Sequence, residues 1–251
     1  MTTTAYDRVN KIVACDSRWS CDLTPHGYEV FLLYVDNTGF GKLLQNENFI
    51  IVLAGNGVLI ERWKNWFKSD ISKPFPDVET GDAFLQVAII NKDRNELIFS
   101  SGVHLPISEH RELKALFSGS GRKYAARRWR ERRCAKESVS AAIAADCYTG
   151  GEVRFIDFNH GGLLNIEDTV NTIKEVNQTL LKRGLIMDMN NPGRKHRPLT
   201  NEEVESIRNL VANGDITPSA PTLQSSPWST EKRQQLNDAI NTMRHHQKEG
   251  C

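Results

Sequence analysis

The chain has 251 residues, with 32 Lys and Arg against 31 Asp and Glu, and its net charge is +1. This balance gives no reason to expect a polyanionic partner, and no apolar run approaches the roughly 18 residues that a membrane-spanning helix needs. The first residues lack the basic and apolar regions of a secretory signal, and the five cysteines form no Cys-x-x-Cys pair. We therefore expect a cytoplasmic protein with no membrane partner, metal or cofactor.

The first half of the chain is dominated by predicted strands. Two β-rich runs, Thr3–Asp7 and Lys11–Asp16, are separated by a break of hairpin length. Apolar residues recur at helical spacing over Leu59–Phe67, and prolines follow that run. Further strands are predicted at Tyr28–Tyr34, Phe49–Leu53, Ala83–Ile90, Glu96–Ser101 and Leu113–Phe117.

Two helices and one strand complete the first part of the chain. The helices are predicted at Tyr124–Arg133 and Lys136–Asp146, and the strand at Glu152–Asp157. Strands, one helix, more strands, two helices and a last strand indicate an α+β fold with antiparallel hairpins. We assign residues 1–157 to this domain.

Residues 158–251 differ in sequence pattern from the first part of the chain and are predicted to form a mostly helical extension. A stretch with several prolines and serines at 214–229 is predicted to be a linker. The helices are predicted at Ile166–Arg183 with a cap at Asn165, at Asn201–Ala212 with a cap at Thr200, and at Thr230–Gln247.

The start of the chain carries a candidate nucleophile. Methionine before a small residue is usually removed, which would leave Thr2 as the first residue with no propeptide. An N-terminal threonine holds a hydroxyl and an α-amine on adjacent carbons. The amine has a reference pKa of about 7.7–8.0, so it can act as the base for its own hydroxyl. Many chains begin Met-Thr, and this feature alone is weak.

Other landmarks follow in a recognisable order. Asp16 ends a predicted strand, Lys42 precedes a buried strand, and Ala54-Gly55-Asn56-Gly57 opens a helix. Downstream come Gly119-Ser120-Gly121 and Asp146-Cys147-Tyr148-Thr149-Gly150-Gly151. In order and spacing, residues 2–157 resemble the proteasome β-subunit family, which includes bacterial proteasome-like peptidases. The resemblance implies a four-layer αββα sandwich of the N-terminal nucleophile hydrolase type.

The same resemblance implies roles for individual residues. Thr2 resembles the nucleophile, with Asp16 orienting Lys42 beside the hydroxyl. The N–H of Gly55 resembles the donor of an oxyanion hole, where a helix start supplies a favourable dipole. Without the resemblance, Asp16 and Lys42 would be read as a salt bridge and Gly55 as part of a turn.

Two further groups are implied by position. Ser120, Asp146 and Thr149 match residues that hold the amine of the nucleophile, although the family usually has serine where Thr149 stands; helix capping is the alternative for Ser120 and Asp146. The primary specificity pocket is expected to be lined by Trp19, Phe40, Leu53 and Gly57. These residues would favour an apolar or small side chain before the scissile bond.

The resemblance also implies partners. We expect a threonine-type endopeptidase acting on peptides or unfolded proteins inside a homo-oligomeric ring of six or seven subunits, with an ATP-dependent unfoldase as a candidate partner. A second outer helix of the family is predicted to be absent, because Ser72–Asp82 contains two prolines and a glycine. This departure leaves the ring size open.

Three alternatives remain at this stage. The basic stretch 122–136 could bind nucleic acid, but acidic residues interrupt it, and a solvated or inter-subunit face is expected instead. A small-amide hydrolase on the same fold would form no ring. A non-catalytic scaffold would misplace Lys42 or retain Met1.

Overall fold

A computed structural model of the chain describes residues 2–27, 31–159, 161–190, 196–220 and 228–249. These residues form a short 3-10 helix, Thr24–His26, and six α-helices, which are α1 Gly57–Ser69, α2 Arg122–Arg132, α3 Ala135–Ala145, α4 Ile173–Arg183, α5 Asn201–Asn213 and α6 Thr230–Glu249. The strands are β1 Thr3–Asp7, β2 Ile12–Cys15, β3 Trp19–Asp22, β4 Phe31–Val35, β5 Leu43–Gln45, β6 Phe49–Asn56, β7 Glu79–Thr80, β8 Ala83–Asn91, β9 Glu96–Ser100, β10 His104–Glu109, β11 Glu112–Gly119, β12 Arg154–Asp157, β13 Leu163–Leu164, β14 Leu185–Asp188, β15 Arg197–Pro198 and β16 Ser219–Ala220.

The chain has a mixed α+β fold built on two large antiparallel sheets. The first sheet runs β10-β11-β1-β2-β12-β13. The second runs β15-β14-β4-β3-β16-β6-β8-β7, with β5 also paired to β6 and β9 to β8. Every hydrogen-bonded strand pair in the described residues is antiparallel, as the hairpin pattern predicted.

Apolar clusters show how the sheets and helices pack. Val13 of β2 and Ile50 of β6 share a buried cluster, so the two sheets face each other. Alternate residues of the first sheet, such as Phe117, pack instead with Trp129 and Val139 of α2 and α3. The outer side of the second sheet packs against α1, α4 and α6 in the largest cluster.

The predicted helix over 166–183 starts too early. The structure begins α4 at Ile173, with Thr172 as a cap whose side chain accepts from the Glu175 N–H in a capping box. Asn165 does not cap it, because its side chain pairs with the backbone of Phe155 and Val153. The residues before Thr172 bind other parts of the fold, and these tertiary contacts override the helical pattern.

Besides the helices α4, α5 and α6, the described part of residues 158–251 contains short strands. Strands β14 and β16 both belong to the second sheet, and β16 lies inside the predicted linker. The predicted cap of α5 at Thr200 is confirmed. The residues between α1 and β7 form no helix, as the prolines there predicted. The division at residue 157 stays a prediction.

Among the described residues, no helix is both long enough and apolar enough to cross a membrane.

Candidate functional site

Thr2, Asp16 and Lys42 meet at one end of the first sheet. The hydroxyl of Thr2 donates to Asp16 Oδ1, and Lys42 Nζ donates to Thr2 Oγ at 2.8 Å. Lys42 Nζ also lies 3.1 Å from Asp16 Oδ1. β1 and β2 bring Thr2 and Asp16 together because they pair as a tight hairpin, with Thr4 opposite Cys15. These three polar side chains, 14 and 26 residues apart in sequence, are all buried.

Asp16 is held as an acceptor from both sides. Its Oδ1 accepts from the Thr3 N–H at 3.0 Å, and its Oδ2 accepts from the N–H groups of Arg18 and Gly150, each at 3.2 Å. A buried carboxylate is tolerated where donors of this kind compensate its lost hydration. Its orientation is therefore fixed, and so is the Oδ1 atom that touches Thr2 and Lys42.

Arg18 is a residue that sequence reasoning missed. Its guanidinium makes two 2.9 Å bonds to the carboxylate of Asp36, donates to the Cys147 carbonyl at 2.6 Å and lies 3.8 Å from the ring centre of Tyr34. It therefore ties the turn after β2 to the segment that carries Gly150. Arg18 stands between Ser17 and Trp19, and no motif or periodicity in this stretch would have identified it.

Ser120, Asp146 and Thr149 form a second polar group beside the first. Ser120 Oγ and Thr149 Oγ1 both donate to Asp146 Oδ2. Within the described residues, the side chains of this group make a hydrogen bond to Thr3 and none to Thr2. Thr149 Oγ1 lies 2.7 Å from Thr3 Oγ1. The three predicted residues thus come together, one residue away from the predicted nucleophile, and their role toward its amine stays a prediction.

Gly119 sets the position of Thr2. Its φ is +86°, and a Cβ there would lie 1.5 Å from the Thr2 carbonyl oxygen. At Gly81, φ is also positive, at +56°, but a Cβ would meet nothing within 4 Å. Both glycines therefore have a left-handed backbone, but only Gly119 has neighbouring atoms close to the position of a Cβ.

We expect Gly119→Ala to lower the free energy of unfolding by about 1–3 kcal/mol more than Gly81→Ala, since the methyl group must push the Thr2 backbone away. Urea denaturation of both variants measures the difference. Equal losses at the two positions would mean that the contact with Thr2 is not tight in solution.

Gly55 lies near the end of β6, just before α1. Its φ of +127° and its closeness to the Phe84 carbonyl, 2.3 Å from a notional Cβ, both require glycine. The next residue, Asn56, caps the helix by accepting from the N–H of Val58 at 2.9 Å. The predicted strand-to-helix junction is confirmed, and its use as an oxyanion hole stays a prediction.

Three of the residues predicted to line a specificity pocket lie near Lys42. Trp19 and Phe40 have ring centres 5.3 Å apart, and Trp19 Nε1 donates to the Phe40 carbonyl at 3.0 Å. Lys42 Nζ is 5.8 Å from the Trp19 ring, and the Lys42 carbonyl accepts from the Leu53 N–H at 2.9 Å. Trp19, Phe40, Leu53 and Gly57 are all buried, and their use as a specificity pocket stays a prediction.

A buried ionic cluster supports the residue before Lys42. Asp168 accepts from the Gly41 N–H and from Arg154, each at 2.8 Å, and from Lys64 Nζ at 2.7 Å. Lys64 Nζ also donates to the Gly41 carbonyl at 3.0 Å. Both polar groups of the Gly41 backbone are thus fixed, and Lys42 follows directly.

The charged groups of this cluster shift one another's pKa values. Burial lowers the pKa of Lys64 to about 8, although Asp168 favours its charged form. Burial would raise the pKa of Asp168, but Lys64 and Arg154 outweigh it and the pKa is lowered. Sequence reasoning missed the cluster because Asp168 lies 104 residues from Lys64.

We expect Asp168→Ala to lower the free energy of unfolding by about 3–5 kcal/mol at pH 7, because two buried cations lose their anion. The neighbouring exposed Glu167 gives a matched control, and Glu167→Ala should change the free energy of unfolding by less than about 0.5 kcal/mol. The lowered pKa means that Asp168 stabilises the fold above about pH 4 and stops doing so as pH falls. The difference between wild type and variant should therefore shrink in acid, and a pH-independent difference would contradict this.

The basic stretch on α2 is partly neutralised by acidic neighbours. Arg128 pairs with Glu131 and Glu137, and Arg133 pairs with Glu109 across to β10. The expectation that nucleic acid does not bind here stays a prediction.

No three histidine, cysteine or acidic side chains gather around a common point in the described ranges, so no metal centre is assigned there.

Comparison with solved structures finds 34 chains that match this one. The Thiobacillus denitrificans protein BPH, solved in complex with epoxomicin, superposes with a TM-score of 0.39 and 14% identity, covering 62% of this chain and 96% of that one. No protein-family profile and no curated protein sequence matches the chain.

Proposed function

We propose that the chain is a threonine-type endopeptidase in which Thr2, once it is the N-terminal residue, is the nucleophile. The observation that carries the proposal is the buried contact of Thr2 Oγ with Lys42 Nζ at 2.8 Å and with Asp16. A hydroxyl between an ammonium and a carboxylate is an unusual arrangement for a structural threonine. We further propose a four-layer αββα sandwich of the N-terminal nucleophile hydrolase type, which the packing of helices outside two facing sheets supports.

The first half of the reaction forms an acyl-enzyme. The free α-amine of Thr2 takes the hydroxyl proton as Oγ attacks the peptide carbonyl carbon. Lys42 stabilises the negative charge that builds on Oγ, and the Gly55 N–H would stabilise the oxyanion. The C–N bond then breaks, and the protonated amine returns its proton to the leaving amino group. The acyl part of the substrate remains on Oγ as an ester.

The second half releases the product. A water molecule loses a proton to the α-amine and attacks the ester carbonyl. The ester C–O bond breaks, Oγ regains its proton, and a carboxylic acid leaves. In this reading Ser120, Asp146 and Thr149 support the amine through Thr3, while Trp19, Phe40, Leu53 and Gly57 border the site that receives the substrate side chain.

We also propose a homo-oligomeric ring of six or seven copies in the cytoplasm, served by an ATP-dependent unfoldase. An open hydrolytic site of this kind would degrade cellular proteins without selection, so enclosure is the expected safeguard. Native mass spectrometry would give the number of copies. A monomer or dimer that still cleaves small amides would instead favour the small-amide hydrolase.

Substrate length separates the two catalytic hypotheses. The purified chain should be incubated with fluorogenic peptides, with an unfolded protein such as casein, and with single-residue amides. A peptidase is expected to cleave the first two faster than the third. Cleavage restricted to the single-residue amides would overturn the endopeptidase assignment, and no cleavage by a chain with a free Thr2 amine would favour a non-catalytic scaffold.

A further inference from the structure

A segment of the extension fills a gap in the second sheet. β3 and β6 are not paired with each other in the described residues, and β16 lies between them. Ser219 is opposite Ser20 of β3 and Asn56 of β6, and Ala220 is opposite Gly55. Both pairings are antiparallel. The proposed oxyanion residue therefore has a piece of the chain's own backbone as a neighbour.

The segment lies as an extended peptide with alternating sides. Ile216, Pro218 and Ala220 are buried, and the residues between them are half-buried. A Cβ on Gly57 would lie 2.3 Å from the Pro218 carbonyl oxygen, so the absence of a side chain at Gly57 makes room for this backbone. Pairing on both edges with alternate side chains inward is how a groove holds an extended peptide.

Anchors on either side hold the segment in place. Upstream, the Ile216 N–H reaches the Leu210 carbonyl at the end of α5, at 3.3 Å. Downstream, Trp228 Nε1 donates to the Leu85 carbonyl at 3.0 Å and its ring stacks on Phe99. While the segment is seated, the gap between β3 and β6 is filled by the chain's own backbone.

Building on the proposed function, we propose that the chain's own segment 216–220 is an intramolecular competitor of the peptide substrate, because it occupies the gap between β3 and β6 beside the proposed oxyanion residue. Only two residues of the segment pair with the sheet, so the segment is weakly held and an incoming strand can displace it. A tethered competitor acts at a high effective concentration and lowers the apparent affinity for substrate. The ligand class is an extended peptide with small or apolar side chains at alternate positions.

A reversible disulfide can lock the segment. Ser20 and Ser219 face each other in an antiparallel pair, where Cα atoms lie about 4.5–5.5 Å apart, within disulfide range. Ser20 Oγ is buried and has no hydrogen-bond partner in the described part of the chain, so its replacement breaks no bond there. The test compares hydrolysis of a fluorogenic peptide by Ser20→Cys/Ser219→Cys before and after reduction, with Ser219→Cys alone as the oxidant control.

We expect reduction to raise kcat/KM of the double variant by at least about tenfold and to leave kcat/KM of the single variant unchanged. A second variant pair works without a disulfide. Ala220→Glu places a charge at a buried position and should raise the rate, whereas Asn213→Glu places the same charge at an exposed position outside the segment and should not. Equal rates in the locked and reduced forms would overturn the competitor and leave the peptidase standing.

If no form hydrolyses peptide, the proposed function fails, and the competitor is then judged by hydrogen exchange. The probe is the free peptide Asp-Ile-Thr-Pro-Ser-Ala, the sequence of residues 215–220. We expect a millimolar excess of it to speed amide exchange at Ser219 and Ala220 of the intact chain. Unchanged exchange at these amides would overturn the competitor.

Discussion

Thr2→Ala is expected to lower peptide hydrolysis by about 10⁴-fold or more, because the atom that forms the acyl-enzyme is gone. Thr2→Ser keeps the hydroxyl and the α-amine and should retain measurable turnover. The fold should survive in both variants, since Asp16 and Lys42 still pair and one lost hydroxyl bond costs only about 1 kcal/mol. Steady-state hydrolysis rates, with thermal denaturation of each variant, provide the measurement.

The neighbouring threonines give a control for this result. Thr4 lies on β1, which follows Thr2 directly, and has no part in the proposed site, so Thr4→Ser should leave hydrolysis within about twofold. Wild-type rates in Thr2→Ala would show that another residue is the nucleophile.

Lys42→Met is expected to reduce both activity and stability. Removal of the ammonium should slow hydrolysis by about 10²–10⁴-fold, because the charge on Thr2 Oγ loses its partner. It also leaves the buried carboxylate of Asp16 without its cation, which should cost about 3–5 kcal/mol of the free energy of unfolding. Activity assays and urea denaturation measure the two effects separately.

The double variant Asp16→Asn/Lys42→Met separates chemistry from folding. The neutral amide keeps one acceptor oxygen, which can accept from the Arg18 and Gly150 N–H groups while its NH2 group donates to Thr2 Oγ. Part of the lost stability should therefore return while activity stays low. The surface pair of Lys114 and Glu112 is the matched control, and Lys114→Met should cost less than about 1 kcal/mol. A double variant as active as the wild type would remove Lys42 from the proposed mechanism.

Local signals predicted most of the first 157 residues. The hairpin of β1 and β2, the fully buried Phe49–Leu53 run, and the paired helices α2 and α3 all follow from periodicity that packing then reinforced. The family resemblance, and not the local pattern, implied that Thr2, Asp16 and Lys42 would meet. The hairpin of β1 and β2 accounts for the contact of Thr2 with Asp16, whereas Lys42 lies 26 residues beyond Asp16.

Long-range contacts account for what the sequence could not reveal. Asp168 was included in a predicted helix, yet it reaches Gly41 and Lys64 and keeps α4 from starting earlier. Ser219 and Ala220 lie in a proline-rich stretch typical of linkers, and only the vacant edges of β3 and β6 make them a strand. Neither position shows a periodicity from which its partner could be inferred.

Intact mass spectrometry with a peptide epoxyketone tests the proposed nucleophile most directly. The Thr2 hydroxyl can add to the ketone carbon while the α-amine opens the epoxide, so a stable ring forms only when both groups belong to one free N-terminal residue. We predict that the chain lacks Met1, gains the full mass of one reagent molecule at Thr2, and gains nothing in Thr2→Ala. A chain with a free Thr2 that stays unmodified, or that is modified elsewhere, would contradict the assignment of Thr2 as the nucleophile.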